Sequence, residues 1–258
     1  MTNILKRAAF TAAVLVCLAG QVPAQEPASV PDDQVRERLD FIQNALESAK
    51  PRARTWWYGW MAAYGAGTAV QWGLSIGHWN DTQPADDSPD APRVKDQAFA
   101  QDMLVGGATT ALGFIGLLTD PFLTASGAGG LKSLPDSTPE ERRAKLEKAE
   151  DLLRRCALRE IKGRSWGTHA LNLGVNAAAG IVTAAVFKRP WTDGLLTFAV
   201  GEAVSLANIF TQPRRAKQAW LKYGDRYLNP TGDIDPESPE SRWSLGVFPG
   251  GFSLSLAW

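Results

Sequence analysis

Four long stretches with almost no charged residue are the feature that most constrains the fold. They cover residues 55–79, 103–119, 165–187 and 194–213, and Glu202 is the one charged residue inside them. A helix rises ~1.5 Å per residue, so about 20 residues cross the ~30 Å hydrocarbon core of a bilayer. The pattern predicts a mainly α, membrane-type arrangement of four apolar helices.

The first apolar run has aromatic side chains near both ends, as expected where a helix meets the two membrane interfaces. They are Trp56, Trp57, Tyr58 and Trp60 at one end and Trp72 and Trp79 at the other. Small residues let a neighbouring helix approach closely. The glycines of this run that we expect to do so are Gly59, Gly65, Gly67, Gly73 and Gly77.

An amphipathic helix is predicted before the first run and another before the third run. In the first, Val35, Leu39, Ile42 and Leu46 recur at helical spacing with charges between them, and we expect Pro51 to end it. The second begins at a capping box of Thr138 and Glu141 with Pro139 at the first helical position. Its apolar stripe is Leu146, Ala149, Leu153 and Cys156.

The two halves of the chain share the same order of features, which predicts a duplication. Each has an amphipathic helix, an arginine, a Trp-led apolar helix, a loop, a second apolar helix and a Thr-x-Pro sequence. Unit 1 covers residues 35–131 and unit 2 covers 138–213. Because each unit would cross a bilayer twice, both would point the same way, about an axis along the membrane normal. Residue identity between the halves is thin, so convergent membrane composition is the alternative.

The first residues are typical of a secretory signal peptide. Lys6 and Arg7 precede a short apolar run, and Val22 and Ala24 fit the small-residue rule for cleavage after Ala24. Residues 1–24 are therefore predicted as a signal peptide and residues 25–34 as a flexible lead. The remaining chain keeps one cysteine, Cys156, and we interpret it as a small apolar residue of a helix.

The signal peptide and the basic residues predict opposite orientations. Export places residues 25–54, 120–164 and 214–258 outside the cytoplasm, yet these segments hold most of the Lys and Arg, which normally mark cytoplasmic loops. Three explanations remain open. The N-terminus is not an export signal, or the chain reaches the outer membrane, where the cytoplasmic rule has no force, or the runs pack as hydrophobic hairpins in a soluble or peripheral assembly. The outer membrane is favoured over the inner membrane.

The polar tail, residues 214–258, ends in a predicted β-hairpin over 243–258. "WSLGVF" and "FSLSLAW" both alternate apolar and small or polar residues, and "PGG" lies between them. Two strands cannot close a barrel, so we interpret the hairpin as an addition to a neighbouring subunit, to the helices or to lipid.

The candidate site residues are few. Glu202 is the strongest candidate, because a carboxylate inside a membrane is by default a functional hypothesis. Asn176, Thr109 and Thr110 lie at a similar depth. The alternative is a neutral Glu202 that only stabilises the helix packing through a hydrogen bond to Asn176. His78 is expected to meet Asp96 or Asp102, and His169 to meet Asp120. The two histidines belong to opposite membrane faces, so a shared metal site is not expected.

Zero formal charge gives no basic field for nucleic acid, and no cofactor or metal motif occurs in the sequence. We therefore expect a non-enzymatic envelope membrane protein with a structural, scaffolding or assembly role, as a homo-oligomer or with envelope protein partners in the lipid bilayer. One alternative is a membrane transporter component or lipid-acting enzyme centred on Glu202, with Asn176, His78 and His169 as weaker candidates. A second alternative is a soluble periplasmic binding protein.

Overall fold

The computed structural model describes residues 30–228 and the backbone of residues 242–248 and 251–257. The described part is mainly helical. Its helices are α1 (Asp32–His78), α2 (Ala98–Thr119), α3 (Gly129–Lys132), α4 (Pro139–Lys162), α5 (Trp166–Ile181), α6 (Trp191–Thr211) and α7 (Arg215–Tyr223). A 3₁₀ turn covers Leu123–Ser126, and π-helical turns extend α5 over Val182–Val186 and α7 over Gly224–Leu228. Strands β1 (Thr82–Pro84) and β2 (Arg93–Lys95) form one antiparallel pair, and β3 (Arg242–Phe248) and β4 (Gly251–Ala257) form another.

The expectation that Pro51 ends the first amphipathic helix is wrong. Helix α1 is 47 residues long and continues through Pro51, so the amphipathic segment and the first apolar run form one helix. Pro51 has no N–H to donate to the carbonyl four residues earlier, that of Glu47. In the same turn, Arg215 Nη1 donates to the Ser48 carbonyl at 2.9 Å and so ties α7 to this part of α1. Ala49 and Ala53 are buried on either side of the proline, so tertiary packing holds the helix together there.

Three amphipathic helices form what we call the base module: residues 32–54 of α1, α4 and α7. The predicted stripes of α1 and α4 meet in its core, which also takes Tyr223 of α7. The buried members are Val35, Leu39, Ile42, Leu46, Leu146, Ala149, Leu153 and Cys156. The capping box of Thr138 and Glu141 is present at the start of α4. This module is built like a small water-soluble helical domain.

The apolar bundle consists of residues 55–78 of α1, helix α2, helix α5 with its π turn, and helix α6. Helix α2 runs antiparallel to α1, since Tyr64 contacts Gly113 and Trp72 contacts Gly107. Helix α6 runs antiparallel to α5, where Gly180 meets Gly194. The π turn after α5 leads to α6 through Lys188, whose φ of 56° is left-handed.

Three helical stretches in the described residues are long and apolar enough to cross a membrane. They are Ala98–Thr119, Trp166–Val186 and Trp191–Leu228, with mean hydropathies of 1.4, 1.3 and 1.4. Residues 55–79, the first predicted span, are not among them. That run lacks charges, but its Gly, Trp, Tyr and Gln residues make it only weakly apolar. Helix α2 alone is ~33 Å long at ~1.5 Å per residue, which matches a hydrocarbon core.

Tryptophan indoles and an arginine form hydrogen bonds with groups at the ends of the apolar helices beside the base module. The indoles of Trp56 and Trp60 each donate to Thr211 Oγ1 at 3.1 Å, and Trp57 donates to the Leu117 carbonyl at 3.4 Å. Arg164 Nη2 donates to the carbonyls of Phe210 and Gln212 at 2.6 and 3.0 Å. The last carbonyls of a helix have no partner within it, so these donors satisfy groups that the fold would otherwise leave open.

The predicted polar loop between α1 and α2 contains β1 and β2, which the sequence did not predict. The C-terminal hairpin is confirmed for its backbone, with Leu245 opposite Leu254 in the register. The signal peptide prediction, residues 1–24, lies outside the described residues, as does most of the flexible lead, residues 25–34; the lead's last residues, from Asp32, are helical. In the first half the amphipathic segment and the first apolar run form one helix, α1, whereas in the second half they are two helices, α4 and α5. The origin of the halves by duplication stays a prediction.

Candidate functional site

A cavity of about 390 Å³ lies inside the apolar bundle. All four helical segments of the bundle contribute to its wall, together with Arg189 from the turn between α5 and α6. The apolar part of the wall includes Met103, Val175 and Val200. Binding sites for small molecules commonly combine such a volume with apolar walls and a few placed polar groups. This cavity is the candidate site.

Asn176 lines the cavity and binds Glu202, which lies behind it. Asn176 Nδ2 donates to Glu202 Oε2 at 2.9 Å and to Ser205 Oγ at 3.1 Å, so one amide of α5 joins two side chains of α6. Asn176 is only 3 % exposed. It packs against Gly201, where a Cβ atom would lie 2.5 Å from Asn176 Oδ1. The two residues named from the sequence therefore form one hydrogen-bonded unit.

A second polar group lies on the α1–α2 side. Thr68 Oγ1 donates to Thr110 Oγ1 at 3.0 Å, and Thr110 Oγ1 donates to the Gly106 carbonyl at 3.0 Å. Gln71 lies over Gly106 so closely that a Cβ there would be 1.8 Å from Gln71 Oε1. These hydroxyls mostly bond to backbone carbonyls of their own helices, as Thr does in apolar surroundings. The Gln71 amide faces the cavity.

An arginine between two aspartates lies at the end of the cavity away from the base module. Arg189 Nη1 binds Asp102 Oδ1 at 2.5 Å and the Ala98 carbonyl at 2.9 Å, while Nη2 binds Asp193 Oδ2 at 2.7 Å. The Arg189 side chain is 18 % exposed. Charge-assisted bonds of this kind are the strong ones in proteins. They tie the start of α2 to the start of α6 and connect the two hairpins of the bundle.

The predicted partners of the two histidines are wrong. His78 Nδ1 lies 2.7 Å from Asp81 Oδ2. Asp96 instead accepts from the Ala98 N–H at 3.2 Å, and Asp102 is taken by Arg189.

His169 lies beside Phe210, with 6.2 Å between ring centroids. Asp120 binds Arg159 and Lys162, each at 3.0 Å, and so is not available to His169. His78 and His169 lie at opposite ends of the bundle, and the described residues contain no group of three or more His, Cys, Asp or Glu side chains that could hold a metal ion.

Sequence reasoning placed Glu202, Asn176, Thr109 and Thr110 correctly near one another, but it missed Arg189, Asp193 and Ser205. Arg189 and Asp193 are four residues apart, the spacing of a helical ion pair, and that spacing was a usable signal. The pairing of Arg189 with Asp102 across 87 residues had no local signal.

No family model matches the chain, and no curated protein or solved structure matches it significantly.

Proposed function

We propose that the chain is an integral membrane protein of the bacterial cell envelope with a structural or assembly role, acting as an oligomer or with envelope protein partners. The observation that carries the proposal is the contrast between the two parts of the molecule. The base module has its own core and a charged surface. The apolar bundle exposes large hydrophobic side chains, among them Ile76, Leu171, Leu195, Leu196 and Phe210, each more than 60 % exposed.

An apolar surface of this extent is not stable in water and marks contact with lipid or protein. The signal-peptide pattern of residues 1–24 supports export. The many basic residues of the base module support the outer membrane over the inner one, because export would otherwise break the cytoplasmic preference of Lys and Arg.

Membrane fractionation tests the location. The full chain is expected in the outer-membrane fraction and is expected to resist extraction by alkaline carbonate. Recovery in the inner-membrane fraction contradicts the outer-membrane assignment alone. Release by carbonate contradicts the whole proposal and supports a soluble periplasmic binding protein.

The assembly role is tested by mass measurement in mild detergent. Gly73 and Gly77 of α1 lie one turn apart, and a Cβ at either meets nothing within 4 Å in the described residues. Small residues on an open helix face allow another helix to approach. We expect Gly73→Leu combined with Gly77→Leu to reduce the oligomer, whereas Ile76→Leu, an exposed and size-conserving change on the same helix, should not. Recovery of monomer only, with no co-purifying protein, contradicts this role.

The cavity supports a second candidate function, a membrane transporter component or a lipid-acting enzyme centred on Glu202. The supporting observation is the group of Asn176, Glu202 and Ser205 at a cavity wall inside an apolar bundle. Glu202→Gln separates the two functions. If the protein is a scaffold, the variant should keep its activity in cells. If Glu202 transfers protons or substrate, the variant should lose activity while its abundance stays the same.

A further inference from the structure

We propose that the bundle cavity binds an organic monocation that has an apolar body, such as a small aryl or alkyl ammonium. The proposal deepens the second candidate function and rests on it, because both assign the cavity to a ligand. Three properties of the cavity carry it: the balance of charges, the size and character of the wall, and the unpartnered amides.

The charges around the cavity do not cancel. The charged side chains in its wall are Asp102, Asp193 and Arg189, so two carboxylates face one guanidinium. Glu202 lies directly behind Asn176, and no Lys, Arg or His nitrogen of the described residues is within ion-pair distance of it. An apolar environment strengthens the attraction between opposite charges and disfavours an unmatched one. A bound cation would supply the missing positive charge.

The size of the cavity favours an organic cation over a bare metal ion. Its volume of about 390 Å³ is many times that of a dehydrated monovalent ion. Much of the wall is apolar, with Tyr64, Met103, Val175 and Val200 among its members. An apolar body would cover these side chains, as is usual in sites for small molecules.

Two carboxamides in the wall have no internal partner. Gln71 of α1 and Asn172 of α5 both line the cavity, and neither amide forms a hydrogen bond with another described residue. Both side chains are partly exposed, so their amides are free to bind a ligand or water. Their carbonyl oxygens can accept from an ammonium group, which strengthens the preference for a cation.

The test measures binding to the full chain purified in detergent, by equilibrium dialysis. Phenyltrimethylammonium is the cationic probe, benzenesulfonate is an anion of similar size, and potassium chloride is the inorganic competitor. We expect phenyltrimethylammonium to bind about tenfold more tightly than benzenesulfonate, or better, because the charged side chains of the wall are two carboxylates and one guanidinium. Potassium at equal concentration should not displace it.

Two variants and a control locate the probe. Asn172→Asp adds a carboxylate to the wall and should strengthen phenyltrimethylammonium binding, whereas Glu202→Gln should weaken it about tenfold. Glu147→Gln makes the same chemical change on the exposed surface of α4 and should leave binding unchanged. Asn172→Asp keeps the test decisive if Glu202→Gln does not fold.

Equal binding of the two organic probes, displacement by potassium, or an unchanged affinity in Asn172→Asp overturns the proposal. A failure of the second candidate function alone would give a different result. Phenyltrimethylammonium would still bind with the expected preference, but Glu202→Gln would have no effect on activity in cells.

Discussion

Gly180 and Gly194 bring the backbones of α5 and α6 into direct contact. A Cβ atom built on either glycine would lie 2.5 Å from the carbonyl oxygen of the other. Real Cβ atoms do not approach a carbonyl this closely, so the crossing requires glycine at both positions. The same crossing sets the distance across which Asn176 reaches Glu202, which lie about one turn from it along α5 and just over two turns from it along α6.

Replacing Gly194 with alanine is expected to lower the free energy of unfolding by about 1–3 kcal/mol, because the backbones must separate. Thermal unfolding in detergent would measure it. Gly174→Ala is the matched control, since a Cβ there meets nothing within 4 Å, and it should be neutral or slightly stabilising. Equal effects of the two changes would show that the crossing is not tight.

Thr211→Val is expected to lower stability by about 1–2 kcal/mol, because it removes the acceptor shared by Trp56 and Trp60. Thr119 occupies the matching Thr-x-Pro position of the first half, but its hydroxyl bonds only to carbonyls of its own helix. Thr119→Val should therefore cost much less. Tryptophan fluorescence provides an independent measurement, and it should shift in Thr211→Val and stay constant in Thr119→Val.

Asn176→Ala is expected to destabilise the bundle by about 1 kcal/mol, the usual scale for a hydrogen bond between helices in a membrane. It removes both bonds from α5 to α6 and leaves Glu202 without its donor. Asn172→Ala, on the same helix and without an internal partner, serves as the control for losing an amide. If both variants unfold at the same temperature, the Asn176 bonds contribute nothing to stability.

Short-range patterns predicted two of the three helices of the base module, whereas α7 lies in the segment interpreted as a polar tail. The stripes of α1 and α4 and the capping box at Thr138 are properties of a few adjacent turns, and each is present. The prediction that Pro51 ends α1 was wrong, and the structure shows tertiary contacts on both sides of the proline: Ala49 and Ala53 are buried, and Arg215 donates to the Ser48 carbonyl. Local rules cannot include such distant contacts.

The glycines of close helix approach were predicted only in part. Of the five expected in α1, Gly65 and Gly67 face α2, where an added Cβ would lie 3.4 Å from Phe114 and 3.5 Å from Thr110. A Cβ at the other three would meet nothing within 4 Å in the described residues, and tighter contacts occur in the other helices, at Gly107, Gly180 and Gly194. Glycine content predicts that helices can approach, but the side of each helix that faces a neighbour depends on the whole bundle. The ion group of Arg189 was missed for the same reason.

The pair of Asp32 and Arg142 is expected to make the base module sensitive to acid. Arg142 holds Asp32 through two bonds of 2.7 Å, and these bonds with its charge lower the pKa of Asp32 below the usual 3.8. A lowered carboxylate pKa stabilises the fold above the unfolded-state pKa, and this contribution is lost as the pH falls through the folded-state value. Asp32→Asn should therefore lower the unfolding temperature at neutral pH and reduce its fall below pH ~4. Asp33→Asn, at an exposed neighbour, should behave like the unchanged protein.

Glu160 is expected to give the opposite dependence on pH. Its carboxylate is 1 % exposed, accepts from Thr124 Oγ1 at 3.2 Å and receives the Lys217 N–H of the first turn of α7 at 2.8 Å. Burial raises its pKa above the usual 4.5, with the hydrogen bonds opposing that effect. A carboxyl with a raised folded-state pKa favours the fold most below the unfolded-state pKa, and that contribution is lost as the pH rises through the folded-state value.

Glu160→Gln keeps the shape of the side chain and removes its titration, so the loss of stability above pH ~4.5 should disappear. The amide oxygen can accept from the Lys217 N–H while the amide nitrogen donates to the Thr124 hydroxyl, so any cost in hydrogen bonding should be small, within about 1 kcal/mol, and the same at all pH values. Unfolding temperatures between pH 4 and 8, with Glu147→Gln as the exposed control, separate the two effects. If Glu160→Gln keeps the pH dependence of the unchanged protein, Glu160 is not the group responsible.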